Sequence, residues 1–369
     1  MTPVVPAYGT STLADLLPSV AARLAVPGCS DVVGLPAASR YVVLLVDGLG
    51  SVLPDGALTA APELHRAGPT AIRLTAGVPS TTVTSLSSLG TGLPPGAHGI
   101  AGFSFRRPGG ADVFNALLWR DDPDPLVLQP HPSLFERATA AGVVATRVLP
   151  IRFFGSGLTE AGLRGGRFVA ESDDDAGRID AVRRAADSGD RTLVYHYVRE
   201  LDHTGHTLGI GSTAWRRRLA LVSTFVGRLR AALSDDVVLL VTGDHGMLDV
   251  PGHHRLIAED DPVLTRGVDL LAGEARFRQL YTSEPDAVAD RWASRLGERA
   301  WVRTRPQAIA EGWFGTVDPR VADHFGDVVV AMRSDWAVLT TSFPKEHDLV
   351  GMHGSLTETE MSVPLLVIT

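Results

Sequence analysis

Five runs of consecutive apolar, largely β-branched residues punctuate this chain: YVVLLVDG at 41–48, GVVATRVLP at 142–150, TLVYHYVRE at 192–200, DVVLLVTGDHG at 236–246 and VPLLVIT at 363–369. A strand with one wetted face alternates apolar and polar residues, so runs that do not alternate belong to strands buried on both faces. Between them lie stretches with helical spacing, SLFERATAAG (133–142), AGRIDAVRRAADSG (176–189) and STAWRRRLALVSTFVGRLRAALS (212–234). Strand alternating with helix predicts an α/β fold whose mostly parallel sheet is sandwiched by helices.

After GDHG the pattern changes. Residues 270–335 mix Trp, Arg, short helical patterns such as PDAVADRWASRL and short strand patterns such as WVRTR and DVVVAM, before the chain returns to MHG and a final apolar run. This predicts a small inserted α+β lobe over 266–335, with 1–265 and 336–369 forming the core. Trp301, Trp313 and Trp336 fall in or near the lobe. They are expected in its interior, the sharper alternative being a surface on which a base stacks.

The net charge of −8 gives a field of the wrong sign for coating duplex nucleic acid, whose affinity comes from neutralised phosphates. A small phosphorylated ligand stays compatible, because bound cations invert the local field of an acidic site. The single cysteine, Cys29, rules out an intramolecular disulfide, and the first 25 residues lack a basic start followed by an apolar run. A cytoplasmic setting is the expectation. No run approaches the roughly 18 apolar residues of a membrane span, and no protein partner is readable.

Residues that bind metals in an open α/β sheet belong at the carboxyl ends of parallel strands. Asp47 closes VVLLVD, Asp202 and His206 follow YHYVREL, Asp244 and His245 close VVLLVTGDH, and His353 precedes the last strand. Thr82, in VPSTTVTSLSSLGTG, starts a predicted helix after a predicted strand. Singly, each has a plain structural explanation as a helix cap, a turn former or a surface imidazole. Together, seven Asp, His and Thr residues in two groups are what a pair of divalent cations requires. The Asp202-x-x-x-His206 spacing fits one face of a helix, and Gly205 and His203 fit a structured loop equally well. Thr81, Thr84, Ser85, Ser87 and Ser88 are read as capping and helix-face hydroxyls. His98, His253 and His254 are read as surface or supporting groups, not as a third metal site.

The order Asp47, Thr82, Asp202, His206, Asp244, His245, His353, with the segments PSTT…GTGLPPGAHGI, LDHTGH, GDHGM and MHG, resembles the alkaline phosphatase superfamily over about 40–369. Within it the chain is similar to the type I phosphodiesterase and nucleotide pyrophosphatase branch, which includes phosphonoacetate hydrolases. The resemblance implies that Asp202, His206 and His353 hold one metal, and that Asp47, Asp244 and His245 hold another beside Thr82. It further implies that the Thr82 oxygen attacks phosphorus in line and that water resolves the phosphothreonine. Mixed Asp and His donors suit Mn²⁺ and Zn²⁺.

The chain departs from its relatives in three ways. Several carry an asparagine after HGI whose amide binds the phosphoryl oxygen; here HGIAGFSFRR places Phe103 near that position, and the Thr82 backbone N–H, Arg106 or Arg107 are the substitutes on offer. Cys29 in GCSDVV lacks the context a sulfatase needs. Secreted relatives have signal peptides and disulfides. The PSTTVTSLSSLGTGLPPGAHG segment is similar to actinobacterial phosphodiesterases acting on cyclic di-AMP, which makes a nucleotide diester, cleaved to pApA or AMP, the expected substrate. A nucleotide pyrophosphate, a phosphonate or a monoester shares the same site chemistry, and a catalytically silent nucleotide sensor is the alternative from another class.

Overall fold

The computed structural model describes residues 2–119 and 122–369. The main sheet takes six of its strands from the first part of the chain, β1 (Arg40–Val46), β2 (Ile72–Thr75), β3 (Val144–Leu149), β4 (Arg167–Ala170), β5 (Thr192–Val198) and β6 (Val237–Thr242). Four follow within the changed region, β7 (Leu270–Glu274), β8 (Phe277–Tyr281), β9 (Ala300–Thr304) and β10 (Val328–Met332), and β11 (Ser362–Ile368) ends the chain. The main sheet has seven strands in the order β2-β11-β6-β1-β5-β3-β4. All pairings among β6, β1, β5, β3 and β4 are parallel, while β11 runs antiparallel to both neighbours. The fold is therefore the expected α/β sandwich on a mostly parallel sheet.

Central β1 shows why its sequence does not alternate. Tyr41, Val43 and Leu45 point into one core with α1 (Leu13–Arg23), α2 (Thr82–Thr91) and α3 (Leu134–Ala140). Val42, Leu44 and Val46 point into the other, with α4 (Asp175–Ala186) and α6 (Thr213–Ala232), the helix that follows α5 (Glu200–Leu208). A pleated strand needs apolar residues at every position only when both faces are covered.

The helices start where local capping sets them. Ser133 accepts from Glu136 N–H at 3.1 Å while its own N–H donates to the Glu136 carboxylate at 2.9 Å, a reciprocal cap that starts α3. Ser212 and Asp174 cap α6 and α4 in one direction only, their side-chain oxygens accepting from Trp215 N–H and Gly177 N–H. Among the described residues no helix is long and apolar enough to cross a membrane.

The strands β7 to β10 form an antiparallel sheet in the order β7-β8-β10-β9. Helix α7 (Pro285–Leu296) covers one face through Val288, Trp292 and Leu296. The other face packs with Phe105, Phe114, Trp313 and Phe314. Trp301 and Trp313 are core residues of that second cluster. Trp336 is wedged between His254, stacked at 4.2 Å, and the Arg299 guanidinium at 4.3 Å. Trp301 and Trp313 are thus spent on packing, and half-buried Trp336 already has both of these partners on its ring.

Candidate active site

The site lies along the carboxyl edge of the parallel strands. Asp47 follows β1, and the ladder continues to it: its N–H donates to Val198 carbonyl at 2.9 Å, and its carbonyl accepts from Asp202 N–H at 3.1 Å. Gly48 then turns the chain with φ of +75°, and a Cβ there would stand 3.0 Å from that of Asp202. Only glycine meets both demands without strain. Its N–H donates to Asp244 Oδ1 at 3.0 Å.

Helix α5 settles the choice left open between helix and loop, since Asp202 and His206 sit one turn apart on it and His206 Nε2 lies 3.4 Å from Asp202 Oδ1. Asp244 and His245 follow β6. His353 arrives because β11 is antiparallel: a strand that descends from the carboxyl edge is preceded by a loop at that edge. Thr82 begins α2, and no side chain caps that end of the helix.

Two groups form. Ligand atoms of Asp202, His206 and His353 lie within 4.8 Å of one another, as do those of Asp47, Asp244 and His245. Thr82 Oγ1 is 3.2 Å from His245 Nε2 and 3.5 Å from Asp47 Oδ1. All seven residues singled out in the sequence therefore meet in one place.

The donor set fits divalent cations on the chain's own geometry. Each histidine directs Nδ1 at a backbone carbonyl: His206 at Gly351 (2.8 Å), His245 at Gly246 (3.1 Å) and His353 at Ser80 (2.8 Å). A carbonyl only accepts, so Nδ1 carries the proton and Nε2 presents a lone pair. The Nε2 atoms of His206 and His353 face each other at 3.3 Å. Two lone pairs at that distance repel unless a cation stands between them. Among the described residues Asp202 Oδ1 and Asp244 Oδ2 are buried without a hydrogen-bond partner, an arrangement that costs energy unless a charge compensates it.

Protonation of the imidazoles does not relieve this, while the carboxyls are left holding protons more tightly than usual. Burial holds His245 down to about 3, and burial with His245 and His206 holds His353 well below its ordinary range. Burial, then the Asp202 and Asp244 charges, push Asp47 upward, and burial raises Asp202 to about 6. Two divalent ions set against these three carboxylates would leave a net positive field suited to a phosphoryl group.

Sequence reasoning missed Tyr197, whose hydroxyl donates to Asp47 Oδ2. Its position two residues after Tyr195, near the end of β5, was the available signal, since both face the same side of a strand. Ser85 Oγ donates to the Asp244 carbonyl at 2.8 Å, so this helix hydroxyl braces the site. Phe103 packs edge-on against Phe343, and its N–H donates to Glu274. Arg106 donates to Asp323 carbonyl at 3.1 Å and lies over the Tyr281 ring at 4.7 Å, so its cation is engaged with the antiparallel sheet. Arg107 is paired with Asp112 and Asp122. His98 is buried, bonded to Ser88 Oγ at 2.9 Å and accepting from Ile100 N–H at 3.1 Å. His254 pairs with Asp335 at 2.8 Å.

A cavity of about 680 Å³ opens beside Thr82. Trp119, Phe153, Phe154, Tyr195 and Tyr197 line it, with Arg152 at its wall.

Comparison with known proteins gives three findings. The family model of type I phosphodiesterase / nucleotide pyrophosphatase matches residues 41–356. No curated protein sequence matches significantly. Among solved structures, murine ectonucleotide pyrophosphatase/phosphodiesterase 5, as an inactive variant in complex with AMP, is similar with a TM-score of 0.70 at 18% identity, over 89% of this chain and 87% of that one. The human counterpart gives 0.68 at 17% identity, over 89% and 87%.

Proposed function

The chain belongs to the type I phosphodiesterase / nucleotide pyrophosphatase family of hydrolases, and from that premise we propose that it cleaves a nucleotide phosphodiester, with cyclic di-AMP as the substrate and pApA and AMP as products, in the cytoplasm. The observation that carries the reading is Thr82 Oγ1 at the junction of the Asp47, Asp244, His245 group and an aromatic cavity. The similar murine structure holds AMP, which favours a nucleotide ligand here. The diadenylate assignment rests on the resemblance of PSTTVTSLSSLGTGLPPGAHG to actinobacterial diesterases.

Asp202, His206 and His353 would hold one divalent ion, Mn²⁺ or Zn²⁺, and Asp47, Asp244 and His245 the other. Bound there, such ions supply Lewis acidity that lowers the pKa of a coordinated hydroxyl and neutralises phosphoryl charge. Thr82 is the nucleophile: its oxygen bonds to phosphorus as the bond to the departing ribose oxygen breaks, and that oxygen takes up a proton. Water then adds to the phosphothreonine and frees Thr82. The uncapped N–H groups of the first turn of α2, which starts at Thr82, can donate to the phosphoryl oxygen that relatives bind through an asparagine. Tyr197 holds Asp47 in orientation.

The test is chromatography of cyclic di-AMP incubated with metal-stripped protein restored separately with Mn²⁺ or Zn²⁺. Product is expected only after restoration. Asp244→Asn and Thr82→Ala are expected to lose about a thousandfold or more in rate while keeping their circular dichroism. No product with metal bound removes cyclic di-AMP and leaves pyrophosphates and phosphonates; a wild-type rate in Thr82→Ala removes the covalent route.

A further inference from the structure

The cavity beside Thr82 is walled by aromatic and aliphatic side chains with the hydroxyls of Thr82, Ser156, Thr159, Tyr195 and Tyr197 among them. Among the described residues that line it, Arg152 is the only charged side chain. It follows β3 in a short 3₁₀ turn, Ile151–Phe153, at the same carboxyl edge as the site. Its guanidinium lies 4.7 Å over the Phe153 ring, and Phe153 in turn meets Tyr197 edge-on at 6.0 Å. Tyr197 is the residue that holds Asp47. One continuous set of contacts therefore runs from the reacting hydroxyl's neighbours to this cation.

Among the described residues the Arg152 N–H groups make no hydrogen bond and no ion pair, and its partner is the Phe153 ring alone, whereas the Arg106, Arg107 and Arg164 guanidiniums each donate to a carbonyl or a carboxylate. Glu171 senses Arg152 only at a distance and is paired with Arg178 at 3.7 Å. A ring beneath a guanidinium fixes its plane and leaves the N–H edge forward, the geometry that meets a phosphate through two parallel bonds.

We propose that Arg152 is a specificity-determining residue that binds the non-scissile phosphate of a substrate carrying two phosphates. The inference rests on the diesterase reading and deepens it. The scissile phosphate sits at Thr82, the nucleoside lies along Trp119, Phe153 and Phe154, and the second phosphate reaches the Arg152 fork. A diester with one phosphate fills the same cavity and leaves the fork to water.

The dinucleotides ApA and pApA separate the two claims, because they differ only in the 5′-phosphate. Initial rates of the metal-restored protein on both, and on cyclic di-AMP, are compared for wild type, Arg152→Ala and Arg152→Lys. A charge-assisted contact predicts that Arg152→Ala loses at least about tenfold more kcat/KM on pApA and on cyclic di-AMP than on ApA. The loss falls in KM, and Arg152→Lys, which keeps charge without the fork, retains part of it. Equal loss on ApA and pApA, a loss confined to kcat, or no loss on either overturns the assignment and leaves the diesterase standing. A wild type that cleaves none of the three removes the diesterase reading, and this assignment with it.

Discussion

The three site histidines illustrate how single hydrogen bonds decide chemistry. Each Nδ1 is committed to a backbone carbonyl, so its tautomer is set by the fold and its Nε2 is left for a ligand. Glu274 shows the opposite situation, a buried carboxyl whose Oε1 accepts from Phe103 N–H while Oε2 has no hydrogen-bond partner among the described residues. Burial raises it from an ordinary 4.5 to about 8. The folded protein therefore binds this proton more tightly than the unfolded chain does. Its contribution is fully present below about 4.5 and is lost as pH rises through about 8. Glu274→Gln, neutral throughout, is expected to gain at least about 1 kcal/mol relative to wild type between pH 5 and pH 8.5. Parallel stability curves for the two proteins, measured by urea unfolding at each pH, would contradict this. Nothing in LLAGEARF announces that environment; the sequence shows a charged residue and the tertiary packing removes its water.

At the scale of elements, the identity of each predicted strand and helix followed from periodicity. GVVATRVLP became β3 and STAWRRRLALVSTFVGRLRAALS became α6 because apolar content on both faces, or on one helical stripe, has one good burial solution. The four residues of β4, partly exposed at the sheet edge, carried no such signal. Helix α2 was legible as a helix, but its serines were not legible as braces, since the same hydroxyls serve equally as caps. Their role comes from how closely α2 packs. At Gly90 a Cβ would stand 1.9 Å from the Gly162 carbonyl and 2.7 Å from the Leu163 side chain. Alanine ordinarily favours a helix over glycine by about 1 kcal/mol, yet a backbone oxygen cannot yield so much space. Gly90→Ala is expected to cost about 1–3 kcal/mol, read as a lowered urea midpoint. A midpoint at or above that of wild type would show that the Gly157–Gly162 helix can move away from α2.

For the molecule as a whole, the two sheets must keep their relation for the site to exist. Arg276, in the turn between β7 and β8, forms a bidentate pair with Glu360, Nε to Oε1 at 2.6 Å and Nη2 to Oε2 at 2.7 Å, with both side chains fully buried. Glu360 also accepts from Ser355 N–H at 3.0 Å, just beyond His353. The antiparallel sheet is thereby tied to the loop that delivers a metal-site histidine. Arg276→Met leaves a buried carboxylate without its counter-charge and is expected to lose about 3–5 kcal/mol of stability in urea unfolding. A loss below about 1 kcal/mol would show that the pair is no tether.

The sequence by itself determined the sheet-and-helix order and the carboxyl-edge location of Asp47, Asp244 and His245, while Thr82 was singled out from its neighbouring hydroxyls by the family resemblance alone. Local period and strand-end position are properties of neighbours in the chain. Tertiary structure alone decided what depends on distant approach: the antiparallel β11 that carries His353 to the edge, the Tyr197 bond to Asp47, and the cavity that sets Arg152 beside Thr82. Those contacts join residues tens to hundreds of positions apart. Spacing along a chain fixes which face a residue shares with its neighbours, whereas only packing fixes which remote face it meets.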